Sequence, residues 1–238
     1  MKGLTDYQKF LVLRPLPPNT ETDEFGNPVL KKDDYSDIVW DDVKFTSYSN
    51  IASIKSNKRR YIPFLFHYDS VLERMWNGPF KFFSRMSGFL LVQTPDFSTY
   101  IGMNPKEIEH NVFKARWMGV WAQHFHYRLL ITGVWGGPET YDLCFSGIPY
   151  GVPIVISTVG CLKCKDSFLQ GFAEMKKRIN PPLIIVRGPL IEGMTGNFIF
   201  VDFKDTFNIN RDVEQLTLFD LSKIITIQEV NKYGWSWR

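Results

Sequence analysis

The sequence predicts an α/β protein, mainly a parallel sheet of repeated βαβ units wound as a partial TIM-type barrel or as an open doubly wound sheet, with an irregular N-terminal arm. Three observations predict it. From Tyr61 onward, short apolar runs alternate with amphipathic stretches of helix length. Those runs carry Val, Ile, Leu or Phe on both alternations, as strands covered on both faces require. Residues 1–59, in contrast, hold turn formers without sustained periodicity. With 238 residues, 44% hydrophobic and 22% charged, the chain is long enough for one sizeable core, and 16% aromatic content excludes a disordered chain.

Within the arm, Pro15, Pro17 and Pro18 precede Asn19 to Asp23 and Gly26-Asn27-Pro28, the texture of an arm or lid. Its apolar clusters, Phe10 to Leu13 and Ile38 to Trp40, are suited to packing on the core. Lys55, Lys58, Arg59 and Arg60 form the densest basic cluster, either a solvated loop or a contact for phosphates.

The core is expected over residues 60–207. Its first run, Tyr61 to Phe66, leads to a helix from Val71 with Asp69 or Ser70 as cap, and Asn77-Gly78-Pro79 separates that helix from a second one through Phe83. Gly88 to Val92 is the next run. Asn104 and Pro105 open a long helix to Gln123, because proline loses little at a first helical position. Leu129 to Thr132, Pro153 to Ile156, Leu183 to Val186 and Asn197 to Asp202 complete six strands. A short helix is expected over Thr140 to Phe145, and a longer one over Ser167 to Arg178 capped by Asp166. Residues 208–238 read as an extension packing on the core, with strand character at Lys223 to Gln228 and an aromatic Trp235-Ser236-Trp237 tail.

In parallel α/β folds ligands bind beyond the carboxyl ends of the strands, where each loop leads to a helix N-terminus. The residues there are His67 and Asp69, Thr94 and Asp96, Trp135 and Gly136, Ser157, Thr158 and Gly160, and Arg187. Asp69 and Asp96 end sequential strands. Their carboxylates are candidates for acid and base or for one magnesium or manganese ion, against a capping role for Asp69 and a turn role for Asp96. Ser157, Thr158 and Gly160 are candidates to cradle an anion opposite Arg187, with His67 and Thr94 as further ligand contacts. Trp135 is either a stacking platform or a hydrophobic plug. Neither a P-loop nor a dinucleotide fingerprint is present.

Cys161 and Cys164 have the spacing of half a zinc site, yet Cys144 is the sole remaining cysteine, which favours inert thiols in a reducing compartment. The chain has no apolar run of membrane-spanning length, and Met1 to Phe10 lacks a secretory core, so a cytoplasmic protein is expected. Twenty-eight basic against 25 acidic residues give +3, well short of a dedicated nucleic-acid binder.

The ordered set Phe66-His-Tyr-Asp69, Trp76-Asn-Gly-Pro79, Thr94-Pro-Asp-Phe-Ser-x-Tyr100, Trp135-Gly136, Cys144-Phe-x-Gly147 and Ser157-Thr-x-Gly-Cys161 resembles domain-of-unknown-function family 4417 of bacteria and their phages. The resemblance covers about Tyr61 to Asp202. It implies a phage, prophage or mobile-element origin and supplies no activity. Three functions stay open: a cleft that binds or processes a nucleotide or nucleic-acid end, a non-enzymatic protein docking on host or phage machinery, and a DNA-binding replication factor.

Overall fold

The computed structural model describes residues 3–202 and 206. Seven strands run in parallel: β1 (Lys44–Ser47), β2 (Tyr61–Phe64), β3 (Val92–Gln93), β4 (Leu129–Thr132), β5 (Ile154–Ser157), β6 (Ile184–Arg187) and β7 (Phe198–Val201). Strands β3 to β7 form one sheet in strict chain order, and β1 pairs with β2 in a second. The two sheets continue one another, since Leu90 donates its N–H to Tyr61 and Leu65 donates to the Gln93 side chain. A doubly wound sheet reverses strand order at a switch point. No reversal occurs among the described strands, so the winding is of the barrel type.

Side-chain parity supports this. Phe45, Ile62, Phe64, Leu130, Val155, Ile185, Ile199 and Val201 share an inner cluster, whereas Leu129, Ile131, Ile154, Ile156, Ile184 and Val186 face the helices. Both alternations are therefore buried, which is why the runs are apolar throughout. Beyond the sheet, the Asn50 amide donates to the Thr206 carbonyl, joining the segment after β1 to that after β7. The sheet curls far enough to bring its edges together.

The helices are α1 (Asp6–Leu13), α2 (Asp69–Asn77), α3 (Pro79–Met86), α4 (Pro105–His124), α5 (Tyr141–Phe145) and α6 (Lys165–Ile179). Asn104 caps α4 through the Lys106 N–H, as expected. Two caps differ from expectation. Asp69 is the first residue of α2 rather than its cap, and Asp166 lies inside the first turn of α6, which begins at Lys165.

Much of residues 3–59 is irregular, but it also contains α1 and β1. A capping box between Thr5 and Gln8 starts α1, and Arg14, left-handed at φ 46°, ends it. Arg14 then lies 3.6 Å over the Trp76 ring and donates to the Trp76 carbonyl, while the Trp117 and Trp121 indoles donate to Pro15. Farther on, Gln123 exchanges hydrogen bonds with the Lys31 backbone and Asp33 accepts from Leu129 N–H. The segment is strapped to the helical layer. The expected strand at 223–228 and the aromatic tail lie outside the described residues.

Candidate functional site

Alternation sets what stands at the strand ends. One step beyond the inner apolar layer, the same parity places Gln93, Thr132, Ser157 and Arg187, a polar layer at the carboxyl end of the barrel. Gln93 and Thr132 satisfy each other at 3.0 Å and are fully buried. Ser157 and Arg187, paired in register on β5 and β6, instead border a cavity of about 880 Å³. Among the described residues none before Phe66 lines it.

His67, Asp69, Asp96, Trp135, Ser157 and Arg187 all line this cavity, although their positions span 120 residues of chain. Asp96 sits on a loop fixed at both sides. Thr94 is locked to Thr132 by two hydrogen bonds; Phe97 is buried beneath the Lys114 ammonium, 4.1 Å from the ring; and Ser98 is held by Asp69 at 3.2 Å and by Asn111 at 2.7 Å. Lys114 in turn pairs with Glu73 of α2. Asp69 thus ties two strand-end loops together where a capping role was one of the expectations.

Among the described residues no group hydrogen-bonds to the Asp96 carboxylate. Burial pushes its pKa up to about 7, opposed by the Arg187 guanidinium and reinforced by Asp69. Burial likewise lowers Arg187 to about 10, with Asp96 acting in the opposite sense. Arg187 is 7% exposed and lies 5.4 Å over the Phe66 ring. His67, desolvated and facing Arg187, has a lowered pKa and stays neutral at physiological pH; it meets the Ser47 hydroxyl at 3.3 Å.

Thr94, Thr158 and Gly160 are not brought to the lining. Thr94 and Thr158 follow the inward residues by one position and so point away. The Thr158 hydroxyl donates to the Pro189 carbonyl, and the N–H groups of Thr158, Val159 and Cys161 are spent on Arg187, Ser157 and Thr158 itself. The 157–161 loop has too few free amides to cradle an anion. Trp135 packs against Phe145 and Phe168, and a β-carbon at Gly171 would overlap its indole. It forms a wall rather than a free platform.

Among the lining residues that the sequence reading did not single out, two are exposed aromatic rings. Tyr68 is 86% exposed and Tyr100 68%, and both stand at the mouth beside Ile101 and Val159. Rings left in solvent at a cavity mouth are available to stack. Cys161 and Cys164 line the same cavity, where the Cys161 thiol donates to the Ser157 carbonyl and the Cys164 thiol to the Cys161 carbonyl; burial, and after it the Cys164 neighbour, raise the Cys161 pKa to about 11. We expect iodoacetamide at pH 8 to alkylate exposed Cys164 well before Cys161, by at least tenfold in rate as read by peptide mass spectrometry. Equal rates would show that Cys161 is not held as a thiol.

No group of three or more His, Cys, Asp or Glu able to hold a metal ion occurs among the described residues. No described helix is long and apolar enough to cross a membrane.

Fold and site define a parallel α/β domain of barrel-type winding with a largely apolar cavity, carrying a few charged and polar side chains, at the carboxyl ends of its strands. Residues 21–204 match the family called domain of unknown function (DUF4417), most of the chain, and the chain belongs to that family. It is 32% identical over 125 residues to the Gene 1 protein of Mycobacterium phage L5, covering 51% of this chain and 55% of that protein. It is 33% identical over 125 residues to the Gene 1 protein of Mycobacterium phage D29, covering 51% and 46%. The chain spans about half the length of these curated relatives. By family and relatives it is a phage-associated protein. No solved structure matches it.

Proposed function

We propose that the cavity binds, and acts on, a phosphate-bearing ligand of nucleotide type. The observation that carries this reading is the juxtaposition of a carboxyl poised near neutrality, Asp96, with the guanidinium of Arg187 in a cavity of about 880 Å³ at the strand ends. Arg187 supplies charge-assisted hydrogen bonds to the phosphate. Asp96 donates a proton when protonated and accepts one when ionised, the property of a general acid or base matched to its working pH. Neutral His67 and the Ser157 hydroxyl orient the ligand, and the exposed rings of Tyr68 and Tyr100 suit a planar base. If a magnesium or manganese ion takes part, Asp69 and Asp96 are its protein ligands, and phosphate oxygens and water complete the shell.

Calorimetric titration with nucleoside mono- and diphosphates, with and without magnesium, tests this. Arg187→Met is expected to weaken binding by about 10- to 100-fold, the worth of a hydrogen bond to a charged group. Without magnesium, affinity of the parent should fall from pH 6 to pH 8.5, as Asp96 gains a charge that repels phosphate. Asp96→Asn should retain only the ligand's own titration. Tyr68→Ser should weaken nucleotide binding but not binding of inorganic phosphate. Unchanged affinity in both Arg187→Met and Asp96→Asn would remove the proposal.

A second reading, a docking protein without enzymatic activity, draws on α1, where no residue is buried and Val12 and Leu13 face solvent. Under that reading Val12→Asp with Leu13→Asp abolishes partner capture and leaves cavity binding intact.

A further inference from the structure

Charge is distributed unevenly over the surface. Lys9, Lys106, Lys165 and Arg128 each meet a carboxylate, as do Lys177 and Arg178 around Glu174. Among the described residues Lys55, Lys58, Arg59, Arg60 and Arg85 form no ion pair; Lys31, Lys32, Arg74, Lys81 and Lys163 share that state, but these five gather at one turn and the groove beside it. Lys58, Arg59 and Arg60 occupy a single 3-10 turn, entered through Asn57 in the left-handed region at φ 53°. Arg85 comes to the same place from the last turn of α3.

These cations are held by groups that leave their charge uncompensated. The Lys58 ammonium lies 5.3 Å over the Phe89 ring and 3.5 Å from the Ser87 carbonyl, and Arg85 lies 4.9 Å over the Tyr48 ring. Lys55, Lys58 and Arg85 border a groove of about 340 Å³ with Ser84 and the buried Ile51 and Ile54. The turn immediately precedes β2, whereas the cavity begins just after it, so the groove lies at the opposite end of the sheet.

We propose that this groove docks the phosphate backbone of a nucleic acid. Crowding five unpaired cations raises self-repulsion in the folded state, which a polyanion relieves. An anionic membrane would be recognised by apolar side chains inserted beside the charges, and a protein partner by apolar or aromatic anchors at the centre of the patch. Among the described residues, no exposed large hydrophobic side chain falls in the segments that carry these cations, residues 48–61 and 84–91. Backbone phosphates need neither device, since counterion release alone supplies affinity. The surface is independent of the cavity reading and does not share its residues.

Fluorescence anisotropy of the full chain with labelled 20-nucleotide single- and double-stranded DNA across a salt series tests the proposal. The expected dependence of log K on log salt is a slope of about −2.7 to −3.6 on duplex and about −2 to −3 on single strands, from three to four neutralised phosphates. The triple replacement Lys58→Glu, Arg59→Glu, Arg60→Glu should lower affinity at least 30-fold and flatten the slope by about 2 to 3. The single exposed replacement Arg59→Glu should lower it severalfold, and Arg59→Lys should retain it. A slope shallower than −1, or binding indifferent to both charge reversals, overturns the proposal. So does equal binding of polyglutamate or of vesicles containing phosphatidylserine.

Discussion

Replacing Trp117 with alanine is expected to lower stability by about 3–5 kcal/mol, the cost of emptying a large aromatic site. Trp117 has no exposed surface and stands at the centre of an aromatic stack, with Trp76 at 5.0 Å, Phe10 at 5.7 Å and Trp121 at 5.8 Å between ring centroids. Its indole N–H also donates to the carbonyls of Arg14 and Pro15, both at 3.0 Å. The substitution therefore removes core volume and a tether of the N-terminal segment at once. Urea denaturation measures the first effect and limited proteolysis around Arg14 the second. Trp117→Phe separates them, keeping most of the packing while losing the donor, and should cost about 1–2 kcal/mol. A loss below about 1.5 kcal/mol in Trp117→Ala would show that the segment and α4 are not one packed unit.

The sequence made that unit only half legible. Apolar runs betray strands buried on both faces, so β2 and β4 to β7 fall where such runs predict them. Lys44-Phe45-Thr46-Ser47 has one inward phenylalanine and becomes a strand through tertiary pairing with β2, which overrides its weak local pattern. The expected strand over Gly88 to Val92 shrinks to Val92 and Gln93. For α1, the Thr5 and Gln8 capping box was a readable signal that the surrounding prolines obscured.

The rule that ligands gather at strand ends picked out His67, Asp69, Asp96, Trp135, Ser157 and Arg187, which line the cavity, but could not by itself separate them from their neighbours. Parity does. Leu91, Leu130, Val155 and Ile185 face the inner layer, so Gln93, Thr132, Ser157 and Arg187 follow inward two residues later. Thr94 and Thr158 follow by an odd step, and the methyl of Thr94 meets the α4 backbone near Gly119. Counting alternation from the apolar run would have assigned both threonines away from the cavity. Tyr68 and Tyr100 carried no such signal, because exposure of a ring in a loop depends on how several loops meet.

Asp96→Asn is expected to be more stable than the parent, by a much larger margin at pH 8.5 than at pH 5. In the folded chain this carboxyl titrates at about 7 instead of 3.8. Between those values the native state keeps a proton that the unfolded chain has released, so the unfolded state binds fewer protons and stability falls as pH rises. Above about 7 both states are ionised and the penalty is complete. At about 1.4 kcal/mol per pH unit the ceiling is about 4 kcal/mol, and water in the open cavity reduces the expected gain to about 1–3 kcal/mol. Asparagine keeps the shape without the charge. His67 acts in the opposite sense, because its lowered pKa withdraws stability as pH falls, so comparing parent with variant at each pH isolates Asp96. Chemical denaturation at pH 5 and 8.5 reads the effect directly. A carboxylate kept at this cost in a cavity facing Arg187 fits a site where ligand chemistry outweighs stability. Identical pH profiles for parent and variant would mean that Asp96 ionises like any exposed carboxylate, and its acid and base role would fall with that result.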